Sequence, residues 1–431
     1  MSATKQGGFK AVAAASIGNA LEWYDFSIFA FFATYISRNF FIDGDAHNAL
    51  INTLIVFGSG FLARPVGAVL IGVYGDKMGR KAAITLTIAI MALGTFIILV
   101  TPPASYIGIY APILLLLARL LQGLSAGGEI GGATAFLLEH APKNKRLLYA
   151  SFLQASMGFS NILAAMMGVL VTTFFTESEV LEYAWRFAFL FGLLIVPVGF
   201  YIRSTLDETP EFKDMQKNRS EHHSPLKEIF SKHLFRVVVG ILFSILWTSC
   251  IYTFIIYMPS AYYADVHVGL MFTRNDVFWA SLIGNIFMTI GCVFFAQVAQ
   301  KVGAFRLLFV GIVLLGLAPF VVLNWLFVSK DFVSLVMGHT FFCILISIFA
   351  GLAPSVLANY YPAEIRSTAL AISYNTAAIF FAGFTPALMA YLVKYNALSP
   401  AYWVLFACVV GLIGTYFISK DKRKLDEKDI G

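Results

Sequence analysis

Charged residues are scarce in this chain. Asp, Glu, Lys and Arg together make up 13% of its 431 residues, against 59% for hydrophobic residues, whereas a soluble domain carries about a quarter charged residues. A soluble globular fold is therefore excluded. The apolar runs are long and do not alternate with polar residues, as the ~10-residue strands of a membrane β-barrel would. The composition predicts an all-α integral membrane protein.

Cysteine is also rare. The chain has four cysteines, each standing alone in an apolar segment: Cys250, Cys292, Cys343 and Cys408. They form no CxxC pair and no disulfide framework, so we interpret them as packing residues. Neither a metal site nor a cofactor is expected.

Hydropathy, punctuated by Gly, Pro and charge, divides the chain into twelve apolar spans. The predicted spans are 11–36, 50–74, 82–101, 107–138, 148–175, 184–203, 234–262, 276–300, 305–327, 332–359, 367–394 and 400–419. One long polar stretch separates six spans from six. We predict a first six-helix bundle (1–203), a cytoplasmic linker (204–233), a second bundle (234–419) and a cytoplasmic tail (420–431), which is a layout found among secondary transporters.

Lys and Arg are distributed unevenly between the two sides of these spans. Loops on the side of the N-terminus hold 23 of the 30, the opposite side holds five, and two, Arg64 and Arg119, fall within spans. Because cytoplasmic loops are enriched in Lys and Arg, we expect both termini in the cytoplasm. The expected location is the cell (inner) membrane. The basic residues follow topology, so the net charge of +6 does not predict a nucleic-acid partner.

The loop between spans two and three combines glycine with charge. Residues 72–81 read GVYGDKMGRK. Such a loop can clamp neighbouring helices in one conformation and release them in another, although a basic loop that only sets topology is the alternative. The residues with an expected gating role are Gly72, Asp76, Gly79 and Arg80, joined by Arg64 and Glu129.

The pattern G-x-x-x-D-x-x-G-R-K resembles the loop signature of the major facilitator superfamily. Five further segments resemble its metabolite:proton symporter branch: GNALEWYDF (18–26), RPVGA (64–68), ARLLQGLSAGGEIGGA (118–133), LDETPEF (206–212) and YYPAEIRSTAL (360–370). The resemblance implies twelve helices, alternating access and proton-driven uptake of a small organic acid or zwitterion. Known members carry citrate, 2-oxoglutarate, shikimate, or proline and betaine. One departure is Gln300, which replaces the acid in the second-half counterpart of the loop and implies a weak clamp there.

Two carboxylates, Glu22 and Asp25, interrupt the first span. Glu22 is predicted ~16 Å from the start of the span, near mid-membrane, and the i,i+3 spacing places both acids on one helix face. Inserting an ionisable group at this depth costs ~2.5–3.5 kcal/mol, so it should face a cavity or a partner. Two ionised carboxylates ~6 Å apart repel by ~2.8 kcal/mol at an effective dielectric of ~20. We predict that at least one exchanges a proton; the alternative is that one only ties the first helix to a neighbour.

Arg119, in span four, is predicted at the same depth, ~18 Å in. Its planar guanidinium group suits a carboxylate. Two interpretations remain open: Arg119 binds the substrate carboxylate directly, or it is a fixed salt-bridge partner of Glu22 or Asp25. An Arg at this place resembles the citrate and 2-oxoglutarate carriers, whereas the betaine carrier has Lys. Downstream, Gly123 and Gly127 are expected to permit close helix packing.

The second half has no Asp, Glu, Lys or Arg deep in a span. Its candidates for substrate contact are therefore polar and aromatic. The predicted substrate-binding residues besides Arg119 are Asn19, Tyr252, Tyr257, Tyr374 and Asn375. Asn285 is a further polar candidate, and His339 is expected to be a satisfied helix contact rather than a proton relay.

Together these features predict a proton-coupled importer of a small carboxylate-bearing metabolite, such as a di- or tricarboxylate, that functions as a monomer. A proline/betaine-type zwitterion symporter, or an exporter or uniporter of the same fold, is the alternative. An enzyme is not expected, because the spans show no convergent His/Asp/Ser or metal constellation. A receptor is not expected either, because the longest polar stretch, 204–232, is too short for a soluble output domain.

Overall fold

The computed structural model describes residues 19–20, 22–42, 44–78, 80–128, 134, 137–138, 141–142, 145–204, 225–264, 268–270, 272–362 and 365–421. Within these ranges the regular structure is helical, and no β-strand occurs. The apolar segments form helices because a helix satisfies its own backbone N–H and C=O groups, which lipid cannot do.

The first half of the molecule consists of helices α1 to α6. Helix α1 is described from residue 22, passes a turn at Phe32 and ends with the stretch Ala33–Phe40. The others are α2 (Ala46–Met78), α3 (Arg80–Val100), α4 (Tyr110–Ser125), α5 (Arg146–Phe174) and α6 (Arg186–Ser204). The short connecting elements are Ala104–Ile107, Ala126–Gly128, Glu177–Glu179 and the π-helical turn Val180–Ala184.

The second half begins with a short helix, Pro225–Lys232, and continues with α7 to α12. Two of these helices contain a π-helical turn. They are α7 (Leu234–Ile251, Tyr252–Tyr257, Met258–Ala264) and α11 (Arg366–Ala378, Ile379–Gly383, Thr385–Leu392). The others are α8 (Arg274–Val302), α9 (Ala304–Ser329), α10 (Phe332–Tyr360) and α12 (Ser399–Ser419). We call the side where α6 ends and Pro225–Lys232 begins the linker face, and the opposite side the far face.

These twelve helices match the twelve predicted spans, and most of the described ends differ from the prediction by at most four residues. Span four is the exception. Its predicted start, residue 107, belongs to the separate short helix Ala104–Ile107, which ends at Gly108 with φ 58°. Helix α4 itself ends at Ser125, where a 3₁₀ turn follows, rather than continuing as a described helix to residue 138.

The surface of the helices is apolar. Among the residues that the structure describes, eight helices are long and apolar enough to cross a membrane, and two shorter apolar helices accompany them. Large hydrophobic side chains point outward, among them Val321, Leu194 and Phe380, which are 72%, 65% and 62% exposed. Charged side chains that lie inside, by contrast, are buried against other helices. The chain is a multi-pass membrane protein.

Glycines bring α2 and α4 into backbone contact, as predicted for Gly123 and Gly127. A Cβ atom on Gly123 would lie 1.9 Å from the Gly60 carbonyl oxygen, and one on Gly127 would lie 2.1 Å from the Arg64 carbonyl oxygen. Side chains larger than hydrogen would force the two helices apart. This close approach places Arg64 of α2 beside α4, the helix that carries Arg119.

Polar contacts join the two halves at several depths. Towards the far face, Arg274 of α8 forms a 3.3 Å salt bridge with Glu177. Near the middle, the Trp247 indole N–H donates to the Gln154 amide oxygen at 3.1 Å. Closer to the linker face, the Asn375 amide donates to the Gly127 carbonyl at 3.0 Å. The interior of the first half therefore faces side chains of the second.

Candidate functional site

Both predicted intramembrane acids are buried. Glu22 is 7% exposed and Asp25 is 3% exposed, so neither opens onto the lipid-facing surface. Asp25 lies between α1, α3 and α6: its Oδ2 accepts a 2.8 Å hydrogen bond from the Thr95 hydroxyl. Its Oδ1 has no hydrogen-bond partner and lies 2.9 Å from where a Cβ on Gly192 would stand. Helix packing, not solvent, surrounds this carboxyl group.

A chain of hydrogen bonds connects Arg119 to Asp25. Arg119 Nη1 donates to Gln122 Oε1 at 2.6 Å, and Gln122 Nε2 donates to Thr95 Oγ1 at 3.0 Å. The Thr95 hydroxyl then donates to Asp25. Every donor points from the guanidinium group towards the carboxyl group, so the chain is polarised in one direction. Charge at one end therefore affects hydrogen bonding at the other.

The side chains in this series of hydrogen bonds come from three helices, and those from α3 and α4 are fully buried. Arg119 and Gln122 are three residues apart on α4 and share a helix face; Thr95 comes from α3. Each of these three side chains is 0% exposed. Arg119 thus reaches Asp25 through two neutral side chains, and within the described residues it forms no direct salt bridge with either acid. Of the two interpretations of Arg119, the fixed direct salt bridge is not observed here.

The other donors of Arg119 have no acceptor. Its Nε and Nη2 are buried without a hydrogen-bond partner. Aromatic rings surround the guanidinium carbon, with the centroids of Phe26, Phe29 and Phe57 at 4.5, 4.6 and 4.9 Å. These cation–π contacts stabilise the buried charge, but they leave two N–H groups able to bind an anion.

Arg64, predicted to take part in gating, lies at the same centre. It is 1% exposed, and its guanidinium carbon is 4.9, 4.8 and 4.2 Å from the ring centroids of Trp23, Phe26 and Phe61. Its Nε and Nη2 also have no hydrogen-bond partner. Phe26 is shared with Arg119, so the two guanidinium groups flank one aromatic side chain.

The remaining predicted gating residues cannot be compared with a described site. Gly79 and Glu129 lie outside the described residues. The backbones of Gly72, Asp76 and Arg80 belong to α2 and α3, but their side chains are also outside the description. Their gating role stays a prediction.

The second half contributes aromatic side chains to the centre, as predicted. The Tyr252 ring packs on Phe57 and Phe61, at centroid distances of 6.3 and 5.5 Å. The Tyr374 ring meets Trp247 edge to face at 5.0 Å, and its hydroxyl faces Arg64. These tyrosines lie across from the two arginines and close the centre from the side of the second half.

The other predicted substrate-binding residues have structural contacts. Asn375 binds the Gly127 carbonyl across the two halves. The Asn19 amide donates to the Ser156 hydroxyl at 2.7 Å, while its Oδ1 has no partner. Tyr257 is fully buried. A role in substrate binding stays a prediction for each of them.

The expectation for His339 was wrong. Its side chain is fully buried, but neither ring nitrogen has a hydrogen-bond partner. The ring packs edge to face against Tyr262 at 5.8 Å, and a Cβ on Gly284 would lie 2.8 Å from it. His339 is held by packing alone.

Gln122 and Thr95, which link Arg119 to Asp25, were not among the predicted site residues. Gln122 carried a usable signal, because an amide three residues after a buried Arg shares its helix face. Thr95 carried none: a single Thr in an apolar helix usually hydrogen-bonds its own backbone, and Thr95 Oγ1 also lies 3.1 Å from the Met91 carbonyl. Only the packing of α3 against α1 shows its contact with Asp25.

Known proteins resemble this chain over nearly its full length. The family model described as Major Facilitator Superfamily matches residues 15–373. The citrate-proton symporter of Klebsiella pneumoniae is 34% identical over 93% of this chain and 89% of its own length. The proline/betaine transporter of Escherichia coli strain K12 is 32% identical over 94% and 82%.

Solved structures share the fold. The proton:xylose symporter XylE bound to 6-bromo-6-deoxy-D-glucose superimposes with a TM-score of 0.75 at 14% identity, covering 97% of this chain and 96% of that one. The inward open conformation of the xylose transporter XylE from E. coli gives a TM-score of 0.71 at 16% identity, covering 96% of each. At these identities the likeness concerns the fold alone.

Proposed function

The chain belongs to the major facilitator superfamily, in its metabolite:proton symporter family, and we propose that it imports a small carboxylate-bearing metabolite together with protons. It is a membrane transporter and not an enzyme. Alternating access of the two halves carries the substrate across the bilayer. Arg119 binds the carboxylate, and Asp25, with Glu22 beside it, exchanges the proton.

The observation that carries this proposal is the hydrogen-bond chain from Arg119 to Asp25. It joins a buried cation with two unpartnered donors to a buried carboxyl group with one unpartnered oxygen. A symporter needs such a link, because the proton must alter the affinity for the substrate. The groups facing Asp25 are Thr95, Arg119, Glu22 and Tyr24.

Coupling follows from the direction of these hydrogen bonds. An ionised Asp25 is a strong acceptor and balances the charge of Arg119 through Gln122 and Thr95. When Asp25 takes a proton, which its Oδ1 can accept, one negative charge disappears. Its Oδ2 then accepts the hydrogen bond from Thr95 less strongly. The positive charge of Arg119 is then balanced by the incoming carboxylate instead. The loaded and protonated site is close to neutral, which favours its reorientation across lipid.

The second half shapes the site and carries no charge deep in its spans. Tyr252 and Tyr374 face the arginines, and the contacts of Trp247 and Asn375 with the first half must break and re-form as access alternates. The proposal includes an inner-membrane location with both termini in the cytoplasm, and function as a monomer.

Two alternatives follow from the same fold. A zwitterion such as proline or betaine is the substrate of relatives almost as similar as the citrate-proton symporters. An exporter or uniporter would use the same site without a proton gradient. A thermal-shift screen of the purified protein against citrate, 2-oxoglutarate, shikimate and glycine betaine separates the substrate classes.

Uptake into proteoliposomes tests the proton-coupling step. In Asp25→Asn, the amide oxygen can still accept the hydrogen bond from Thr95, but the side chain has no proton to exchange. We expect this variant to lose accumulation driven by an imposed pH gradient and to retain counterflow exchange. Glu22→Gln, measured in parallel, shows whether Glu22 shares the role.

Two results would contradict the proposal. If both variants keep full, pH-dependent accumulation, the proton does not bind these carboxylates. If wild-type uptake does not respond to the pH gradient, the protein is an exporter or a uniporter.

A further inference from the structure

In Arg64 and Arg119, the same edge of the guanidinium group has no hydrogen-bond acceptor from the protein. In both residues the unpartnered atoms are Nε and Nη2, which lie on one side of the planar group. That edge binds a carboxylate through two parallel hydrogen bonds. Both residues are almost completely buried, at 1% and 0% exposure, so water does not satisfy these donors from the surface.

A third arginine shows how this edge is filled when the protein supplies the acceptors. Arg186, at the far-face end of α6, donates from Nε to the Leu99 carbonyl at 3.0 Å and from Nη2 to the Thr101 carbonyl at 2.8 Å. Its guanidinium carbon also lies 4.4 Å from an aromatic centroid, that of Trp185. Packing on aromatic rings thus does not prevent this edge from finding partners, and its vacancy in Arg64 and Arg119 points to a ligand.

We propose that Arg64 is a second carboxylate-binding residue of the transport site, so that the substrate is a di- or tricarboxylate held by both arginines. This inference rests on the proposed function, because it assumes that Arg119 binds the first carboxylate. It assigns Arg64 to substrate binding rather than to the gating loop.

The spacing of the two arginines suits a short polycarboxylate. Their guanidinium carbons lie 4.8 and 4.5 Å from the centroid of Phe26. They are therefore no further apart than the sum of these distances, about 9 Å. Within the described residues neither group lies in a salt bridge. A substrate with two carboxylates a few carbon atoms apart would occupy both edges and balance both charges.

The aromatic rings at this centre argue against a zwitterion with a quaternary ammonium group. Such a group binds over the faces of Trp, Tyr or Phe. Here Trp23, Phe26 and Phe61 surround Arg64, and Phe29 and Phe57 surround Arg119 together with Phe26. The protein's own cations already use these rings, and a further positive charge would be repelled.

Calorimetric binding to the purified, full-length protein tests the inference. The probes are citrate, 2-oxoglutarate and succinate, each paired with the derivative in which one carboxylate is converted to an amide, and glycine betaine. We expect the wild type to bind at least one polycarboxylate more than 10-fold tighter than its amide. In Arg64→Gln this ratio should fall to near one, because the second carboxylate has lost its partner.

Arg186→Gln is the control, because it removes a half-buried guanidinium group whose Nε and Nη2 edge is filled by protein acceptors. It should leave the ratio at its wild-type value. Should Arg64→Gln fail to fold, Arg64→Lys keeps the positive charge among the rings but lacks the two-donor edge, and it should lower the ratio in the same direction. The wild-type ratio needs no variant and is informative by itself.

Several outcomes would overturn the inference: wild-type binding of glycine betaine tighter than of any polycarboxylate, amides binding as well as their parent acids, or a ratio unchanged in Arg64→Gln. These results are separable from failure of the proposed function, which appears as uptake that does not depend on the pH gradient. A gradient-driven transporter with an unchanged ratio would keep the proposed function and exclude Arg64 as an anchor.

Discussion

The two halves share a helical architecture but differ in what they bury. The interior of the first half holds Glu22, Asp25, Arg64 and Arg119, whereas the buried side chains of the second half, among the residues that the structure describes, include no Asp, Glu, Lys or Arg. Unpartnered buried atoms in the first half include those of Asp25, Arg64 and Arg119, whereas those deep in the second half belong to uncharged polar side chains such as Ser249 and Asn285. Charge is costly to bury, and its restriction to one half supports the proposal that the proton and the substrate carboxylate bind there.

The hydrogen bonds follow the same division. In the first half, the series of hydrogen bonds from Arg119 runs through α4 and α3 and ends on the Asp25 carboxyl group. Near the centre, the two halves are joined by single neutral hydrogen bonds from Trp247 to Gln154 and from Asn375 to Gly127. Single neutral hydrogen bonds contribute ~0.5–1.5 kcal/mol each, which makes them suited to repeated opening. The hydrogen bonds of the first half thus connect charged groups, whereas these weak contacts with the second half can break and re-form.

The largest effect is expected from a change that separates α2 from α4 in the charged half. Gly123→Ala puts a methyl group 1.9 Å from the Gly60 carbonyl oxygen, which the two backbones cannot accommodate. We expect the free energy of unfolding to fall by about 3 kcal/mol and transport to be lost. The melting temperature in detergent and proteoliposome uptake measure the two effects.

Gly316→Ala, on α9 of the second half, is the matched control. Its added methyl group would lie 3.4 Å from Cys408 and Leu405 side-chain atoms, an ordinary contact distance. This variant should keep a melting temperature close to that of the wild type. Equal losses in both variants would show that the tight packing of α2 on α4 is not special.

An intermediate effect is expected from interrupting the series of hydrogen bonds between Arg119 and Asp25 without removing a charge. Thr95→Val keeps the shape of the side chain but removes the hydroxyl that bonds to Asp25 and Gln122. The pH-gradient-driven uptake rate should fall about 10-fold, the equivalent of one hydrogen bond of ~1.4 kcal/mol.

Thr53→Val provides the control for this change. Thr53 is equally buried, and its hydroxyl donates to the Ala49 carbonyl at 2.9 Å; among the described residues it has no hydrogen bond to Arg119, Gln122 or Asp25. Uptake should stay within a few-fold of the wild type. If Thr53→Val slows uptake as much as Thr95→Val, a general packing effect, and not the hydrogen-bond chain, explains the loss.

The smallest effect is expected in the second half. The His339 side chain is buried deep in the described interior of the second half, and its ring nitrogens have no hydrogen-bond partners. Replacing an unpaired polar group by an apolar one is close to neutral or stabilising, so His339→Leu should keep the melting temperature or raise it. The pH dependence of uptake should not change. A flattened pH dependence would place a proton-exchanging group in the second half and break the comparison between the halves.

The sequence predicted best those features that depend only on a residue's position along the chain. Helices α8 and α12 begin at Arg274 and Ser399, within two residues of the predicted span limits. The prediction works because a span must be long and apolar whatever its neighbours are. The depth of Asp25 and Arg119 was also accessible, since rise per residue converts position into distance. Their connection through Gln122 and Thr95 was not accessible, because it depends on how α1, α3 and α4 are rotated about their axes.

The aromatic surroundings of Arg64 belong to the same second category. The sequence showed that Arg64 lies in a span, but hydropathy does not predict which of the 42 Phe residues contact it. Phe26 and Phe61 do so because glycines let α2 approach α4 and α1 covers both. The expectation for His339 failed for the same reason: whether a buried side chain finds a partner depends on the opposing helix.

The amino-acid sequence by itself determined that this chain spans a membrane with twelve helices, and that Asp, Glu, Lys and Arg occur deep in its first half only. Both properties follow from the solvent, because hydrocarbon demands long apolar helices and penalises every charge independently of the fold. Tertiary structure alone decided that two arginines share one Phe, that each keeps a free edge, and that a polarised chain of hydrogen bonds reaches Asp25. These features depend on contacts between residues up to about a hundred positions apart, which form only when the helices pack.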